Sequence, residues 1–221
     1  MVIMAMNLTT TISRDMIPEP TLRRLPWYLA YVSLLRTSGE EYVSSTQIAR
    51  HINVDPSMIA KDLSVLNIKG KTRIGYDVAL LEQELQDFLG FKVGHNAVII
   101  GVGSLGNSLI QDSGLAAYGL SIVAGFDIKP ELDGTSICHV PIYHIDTLAE
   151  RMARLKASIA IITVPVEHAQ SVSDIAVAAG IKAIWNFTPF RITAPVGIVI
   201  QNTSIYAHLA VMYNRLGQQK I

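Results

Sequence analysis

The glycine run Gly101–Val102–Gly103–Ser104–Leu105–Gly106 stands between an apolar stretch of strand length, residues 96–101, and the start of a helical pattern. A G-x-G-x-x-G spacing carries meaning only in such a setting. The first glycine permits a tight turn from strand to helix. The second lets a phosphate approach the backbone, and the third lets the helix pack closely on the strand. Asp127 lies twenty-one residues beyond Gly106 and closes the next apolar stretch, 121–126, with Ile128 beside it. A carboxylate there accepts hydrogen bonds from ribose hydroxyls and repels a ribose phosphate. The run therefore implies a βαβ unit that holds NAD(H) in preference to NADP(H), its pyrophosphate on the amides that open the helix.

The chain around that unit divides into two grammars. From residue 96 onward strands and helices alternate, with strands expected at 96–101, 121–127, 157–164, 183–186 and 196–201. Helices are expected at about 105–112, 146–155 and 166–179. Such alternation marks a doubly wound parallel sheet, a Rossmann-like domain over residues 91–202. The earlier part reads as short helices. Residues 22–35 have helical apolar spacing, with Pro26 in the first turn. Ser44 stands three before Gln47, a capping-box spacing for a helix to Ile52. Asp55–Pro56 then opens a third helix to about Asn67. Helices two and three are separated by a tight turn, a helix-turn-helix pattern, although small helical domains of other kinds share such turns. Residues 69–76, with two glycines, alternating basic residues and a final Tyr76, read as a β-hairpin wing. A connecting helix over 77–89, capped by Gly90, completes a winged-helix domain at 20–90.

The 221-residue chain has no net charge, half of its residues are apolar, and it has one cysteine, Cys138. A neutral total argues against nucleic acid until charge is read locally. Between Ser44 and Tyr76, Arg50, Lys61, Lys69, Lys71 and Arg73 face only Asp55 and Asp62. That suits a protein touching phosphates with one face. The apolar runs are too short to cross a membrane, and residues 1–20 lack the charge and apolar core of a signal peptide. Residues 1–19 read as a Thr-rich leader. A single cysteine excludes an internal disulfide and fits a reducing cytoplasm. The last segment, 203–221, contains a helix whose Ile205, Leu209, Met212 and Leu216 are spaced four, three, four. Two readings stay open for it: packing on its own sheet, or insertion into a second subunit.

Hydride transfer to a carbonyl normally needs an acid–base group near the nicotinamide. His168, just past Val164–Pro165, is the nearest candidate, and a lone histidine there is more often a helix-start residue than a catalyst. No metal-ligand cluster is visible, and about 125 residues from Asn96 leave little chain for a substrate domain. An enzyme is thus disfavoured. A dehydrogenase would predict turnover without DNA binding. A CoA-ligase-like nucleotide-binding module would leave the N-terminal helices unexplained.

Several further motifs occur in order: Arg23–Arg24–Leu25–Pro26–Trp27–Tyr28, Val43–Ser44–Ser45–Thr46, Lys61–Asp62–Leu63–Ser64 and Gly75–Tyr76–Asp77–Val78. They continue after the glycine run with Phe126–Asp127, Val140–Pro141–Ile142–Tyr143, Thr163–Val164–Pro165, Ala179–Gly180–Ile181–Lys182 and Asn186–Phe187–Thr188–Pro189. Together they resemble Rex, the bacterial redox-sensing transcriptional repressors, over everything after Ile17. The resemblance implies a homodimer with a winged helix, a Rossmann domain and a C-terminal helix exchanged between subunits. It also implies operator DNA as partner, bound when NADH is scarce and released when NADH binds. On that reading Ser57 and Lys61 face the major groove or its phosphates, and Lys69, Lys71 and Arg73 reach out from the wing. Arg23 and Arg24 anchor the backbone, and Ser45 and Thr46 sit at a helix start that can cap or contact DNA. Thr163–Val164–Pro165, Asn186–Phe187–Thr188–Pro189 and Tyr206 of the last helix are the candidates at the nicotinamide end. The chain departs from the family pattern at Ala60, where an arginine is usual, along Leu66–Gly70, and at Asp112 and Ser204.

Overall fold

The computed structural model describes residues 17–218. Of the expected leader, residues 1–16 lie outside the described residues, and Glu19 already opens the first helix. Two compact units divide the chain, Met1–Lys92 and Val93–Ile221.

In the first unit, helix α1 (Glu19–Thr37) is longer than the spacing predicted. Pro20 occupies the first turn, so Pro26 lies in the helix interior instead, where its missing N–H leaves the Leu22 carbonyl without its usual partner. A two-residue strand β1 (Tyr42–Val43) precedes α2 (Ser45–Ile52). The capping box is present as expected: Gln47 N–H donates to Ser44 Oγ at 3.1 Å, and Ser44 N–H donates to Gln47 Oε1 at 2.8 Å. Asn53, at φ 56°, makes the left-handed turn into α3 (Pro56–Leu63), which Asp55 caps. That helix stops four residues short of the expected Asn67. Ser64 Oγ donates to the Lys61 carbonyl, and Val65 and Leu66 continue with i→i+3 bonds that tighten and end the helix. Strand β2 (Tyr76–Asp77) pairs antiparallel with β1 and leads into α4 (Val78–Leu89), capped by Asp77 and ended by left-handed Gly90. Leu25, Leu29, Val32, Ile48, Ile59, Leu63, Leu81 and Leu85 from all four helices form one buried core.

The wing is smaller than the hairpin expected over 69–76. Lys71 and Gly75 form a single bridge around the tip Thr72–Arg73–Ile74, and Arg73 takes φ 65° at the turn's third residue. Such a position ordinarily favours glycine or asparagine. Tyr76 goes to β1 and lays its ring against Gly70, so no further hairpin pairs form. Gly75 has φ 111°, and a Cβ there would stand 2.3 Å from the Val43 carbonyl oxygen. Gly75→Ala is therefore expected to part the wing from β1 at a cost of about 1–3 kcal/mol. Denaturant unfolding would detect it, and wild-type stability would refute the close approach.

The second unit is built on a seven-stranded sheet. In chain order its strands are β3 (His95–Ile100), β4 (Leu120–Asp127), β5 (Ser136–Ile137), β6 (Val140–His144), β7 (Ile159–Ile162), β8 (Ala183–Asn186) and β9 (Val199–Asn202). The spatial order is β5-β6-β4-β3-β7-β8-β9, parallel throughout except for the short edge strand β5. Without β5 this is the doubly wound nucleotide-binding order. The helices are α5 (Ser104–Gln111), α6 (Gly114–Ala117), α7 (Leu148–Leu155), α8 (Ala169–Ala178) and α9 (Ile205–Gln218). Buried residues of β3 alternate between two cores, Val98 and Ile100 on one face, Ala97 and Ile99 on the other. Both faces are covered, which is why the strand reads as a continuous apolar run.

Strands β5 and β6 and helix α6 were not predicted. Pro141 interrupts the β6 run, but it pairs with Ser136 of β5 before β6 joins β4 at Ile142, so its missing N–H costs β4 nothing. Helix α9 settles one open reading. None of its residues is buried, and Ile205, Val211, Met212, Tyr213 and Leu216 are all exposed, so it does not pack its apolar face on its own sheet.

Candidate functional site

Strand β3 has β4 on one side and β7 on the other, so the chain leaves its C-terminal end where the strand order reverses. Crevices at such a switch point bind ligands in open α/β sheets. Gly101, at φ 94°, makes the turn, and a Cβ there would lie 2.9 Å from both the Thr163 carbonyl and Val164 Cγ1. At Gly106 a Cβ would stand 2.1 Å from the Gly101 carbonyl oxygen. Thr163 Oγ1 donates to that same carbonyl at 2.6 Å, tying β7 to the turn. Gly103 differs: a Cβ on it would meet nothing within 4 Å, so the protein's own packing does not require this glycine. It leaves the space that a pyrophosphate would use above the first turn of α5, which Ser104, Leu105 and Gly106 form.

Asp127 ends β4 with its carboxylate fixed in place. Its Oδ2 accepts the Val102 N–H at 2.6 Å and its Oδ1 accepts the Lys129 N–H at 3.0 Å. A carboxylate has about four acceptor sites, so capacity for ribose hydroxyls remains. Beside it opens a cavity of about 480 Å³. Of the predicted residues, Gly101, Gly103, Asp127, Ile128, Thr163, Val164 and Pro165 line it. Ile128, next to Asp127 in the chain, is 68% exposed.

Other predicted cofactor residues are placed elsewhere. Asn186 is fully buried: its Nδ2 donates to the Phe190 carbonyl and Asn202 Oδ1, and its Oδ1 accepts the Thr188 N–H. Asn186 and buried Thr188 thus knit the turn after β8 onto β9, and Phe187 packs on Trp185 with ring centroids 4.7 Å apart. None of the segment 186–189 lines the cavity, and Tyr206 stands exposed on the first turn of α9. The sequence reading missed one wall, formed by His168, Ser171, Val172 and Ile175. Their spacing of three, four and seven residues is one face of a helix, a signal legible behind Thr163–Pro165. His168 stands at the N-cap position of α8, in keeping with its helix-start reading, although its side chain makes no capping hydrogen bond, and it also borders the cavity. Among the described residues no group of three or more His, Cys, Asp or Glu could hold a metal, and no helix is long and apolar enough to cross a membrane.

On the first unit, α3 buries Ile59, Asp62 and Leu63 and exposes Ser57, Ala60, Lys61 and Ser64. The exposed four form one stripe at helical spacing, with Ala60 at its centre. Ser57 Oγ also donates to the capping Asp55. Lys69 and Arg73 are exposed, whereas Lys71 Nζ donates to Tyr42 Oη at 2.9 Å and lies 4.8 Å from that ring's centroid. Ser45 and Thr46 begin α2, with Thr46 exposed.

The arginine pair separates. Arg23 is exposed and bridges to Glu19 at 2.7 Å. Arg24 has a different task from the expected backbone anchor. Its Nε and Nη2 donate to the two oxygens of Asp62 at 2.6 and 2.8 Å, joining α1 to α3. Tyr28 Oη and Thr21 Oγ1 donate to the same carboxylate. Burial pushes Asp62 up, yet the hydrogen bonds from Arg24, Tyr28 and Thr21 prevail and hold it below its ordinary 3.8. Burial and Asp62 together raise the Tyr28 phenol well above its usual range. Asp62 therefore does not offset the basic surface.

Comparison with known proteins agrees with both units. Residues 16–64 match a family described as a putative DNA-binding protein N-terminus, and residues 94–190 match one described as a CoA binding domain. The redox-sensing transcriptional repressor Rex of Bacteroides fragilis is 58% identical over 205 residues, covering 93% of each chain. That of Treponema denticola is 40% identical, covering 88% of this chain and 94% of its own. A crystal structure of RSP with β-NAD+ and operator DNA superposes with a TM-score of 0.87 at 32% identity, covering 92% of this chain and 94% of that one. RSP with β-NADH gives 0.83 at 32% identity, covering 92% and 96%. On these similarities, spanning both units, the chain belongs to the Rex family of redox-sensing transcriptional repressors.

Proposed function

We propose that this protein represses transcription by binding operator DNA as a homodimer, and that it leaves the operator when NADH replaces NAD+. The observation that carries the reading is the coexistence in one chain of the glycine crevice closed by Asp127 and the exposed stripe of α3 that presents Lys61. The dinucleotide is a sensed ligand, and the protein is a regulator acting in the cytoplasm, where operator DNA is found. The domains follow as residues 20–90 for DNA, 91–202 for NAD(H) and 203–221 for dimerisation, the last through the bare apolar face of α9. The family description as a CoA binding domain fits the same crevice. A CoA-binding module alone leaves the stripe of α3 without a task.

Ser57 and Lys61 face the groove, Lys69 and Arg73 reach phosphates beside it, and Arg23, Ser45 and Thr46 flank them. Two copies of α3 must match half-sites about one DNA turn, or a multiple of it, apart. NADH that favours another separation lowers operator affinity, and bound operator must weaken NADH by the same factor. A shift from 99% bound to 99% free requires about 5.5 kcal/mol of differential affinity.

Titrating an operator fragment with NADH and with NAD+ separately tests this reading. Release by NADH at concentrations where NAD+ leaves the complex intact is the expected result, and steady oxidation of NADH with a small carbonyl compound would refute it. Lys61→Ala is expected to weaken operator binding and to lower the salt dependence by about one counterion. Wild-type affinity in that variant would remove α3 from the interface.

A further inference from the structure

The exposed stripe of α3 is chemically sparse. Its four side chains are those of Ser57, Ala60, Lys61 and Ser64, while Ile59, Asp62 and Leu63 turn inward. Both hydroxyl protons are already committed: Ser57 Oγ donates to Asp55 Oδ1, and Ser64 Oγ donates to the Lys61 carbonyl at 2.6 Å. Facing outward, each hydroxyl can accept a hydrogen bond, but it donates one only by giving up its partner in the fold. Lys61 is the one charged member, and its ammonium is a point charge without the planar fork of a guanidinium. No arginine, asparagine or glutamine stands among the four to make a bidentate pair with a purine edge. Midway along the stripe lies the methyl group of Ala60. It offers no atom that a phosphate could bond, and it is small enough to let the helix backbone sit close to whatever it faces.

On the major-groove edge of B-DNA only thymine carries a methyl group, and alanine meets it by apolar contact. We propose that Ala60 is a base-reading residue: its side chain packs against a thymine 5-methyl group in each operator half-site. One base pair is thus selected by a contact between two methyl groups and not by a hydrogen bond. The inference rests on the reading of α3 as the helix that enters the groove. Met58, 37% exposed beside the stripe, is a rival apolar contact on the same helix.

The test uses the full chain with NAD+ and the duplexes that it selects from a random library. Each thymine of the selected operator is replaced in turn by uracil, which lacks only the 5-methyl group, and affinity is measured by fluorescence anisotropy. At least one thymine in each half-site is expected to lose about fourfold on replacement, one buried methyl group being worth about 0.8 kcal/mol. Placing 5-methylcytosine there is expected to bind more tightly than cytosine. In Ala60→Gly the difference between thymine and uracil at one such position is expected to vanish, with thermal melts to verify folding. Ala60→Gln, whose amide displaces the methyl group, serves if the glycine loosens α3. Met58→Ala is expected to keep the difference. An operator without a uracil-sensitive thymine, a sensitivity that survives the Ala60 variants at every position, or its loss in Met58→Ala overturns the proposal and leaves operator binding in place. A chain that selects no sequence overturns the reading of α3 itself, and this inference with it.

Discussion

Gly106→Ala is expected to lower NADH affinity by on the order of tenfold to a hundredfold, the equivalent of the roughly 1–3 kcal/mol that overpacking costs in a tight interior. The new methyl group would stand 2.1 Å from the Gly101 carbonyl oxygen, and both partners are backbone, so no side chain can swing aside. Relief comes only by moving α5 away from the end of β3, or by turning the Gly101 peptide away from Thr163 Oγ1. Either movement displaces the amides proposed to hold the pyrophosphate. Gly103→Ala provides the contrast. Its methyl group meets no protein atom within 4 Å, so the melting temperature should hold while NADH affinity falls, because the methyl group enters the ligand's path. The two variants thus separate a glycine required by the fold from one required by the ligand. Paired melting curves and NADH titrations check this, and wild-type NADH affinity in Gly103→Ala would route the pyrophosphate elsewhere.

The second large effect belongs to the first unit. Arg24→Ala removes two donors from a carboxylate that is only 2% exposed, and breaking a buried pair from one side costs about 3–5 kcal/mol. Tyr28 and Thr21 still donate to Asp62 in that variant, so the lower end of the range is expected. Because Asp62 titrates below its ordinary 3.8 in the folded chain, the stability it confers is fully present above that value. It is lost as pH falls through the lower folded value. The gap between wild type and Arg24→Ala should accordingly be widest near neutrality and close in strong acid. Glu82, raised by burial but held below its usual 4.5 by Ser33 and Arg36, loses its contribution in the same direction in both proteins. Denaturant midpoints measured from pH 7 down to pH 2 test the point, and a gap independent of pH would remove Asp62 from the account.

The glycine run and Asp127 were legible because each residue type is dictated by a local demand: a positive φ, a close backbone approach, a fixed carboxylate. Helix α2 was legible for the same reason, through its capping box. Where pairing depends on distant chain, the reading thinned. Strand β6 was not predicted, because its register against β5 and β4 cannot be seen from either side of Pro141 alone. Arg23 and Arg24 are indistinguishable as neighbours in sequence, and only the packing of α3 on α1 decides which of them meets Asp62. The face of α8 that borders the cavity is visible in the spacing of His168, Ser171, Val172 and Ile175, but nothing local to those residues shows which face of the helix meets the crevice. Asn186 and Thr188 look like binding residues in a polar turn, whereas their hydrogen bonds close a corner of the sheet.

Helix α9 leaves its apolar side bare, and at 14 residues it is close to the length at which an isolated helix is marginal in water. In the homodimer proposed above that side is covered by the second copy, so the persistence of the helix follows the law of mass action. Dilution should lower the melting temperature of the whole protein, and the abundance of the regulator itself becomes a second input beside the redox state. A cell holding too few copies would lose repression without any change in its nicotinamide pool.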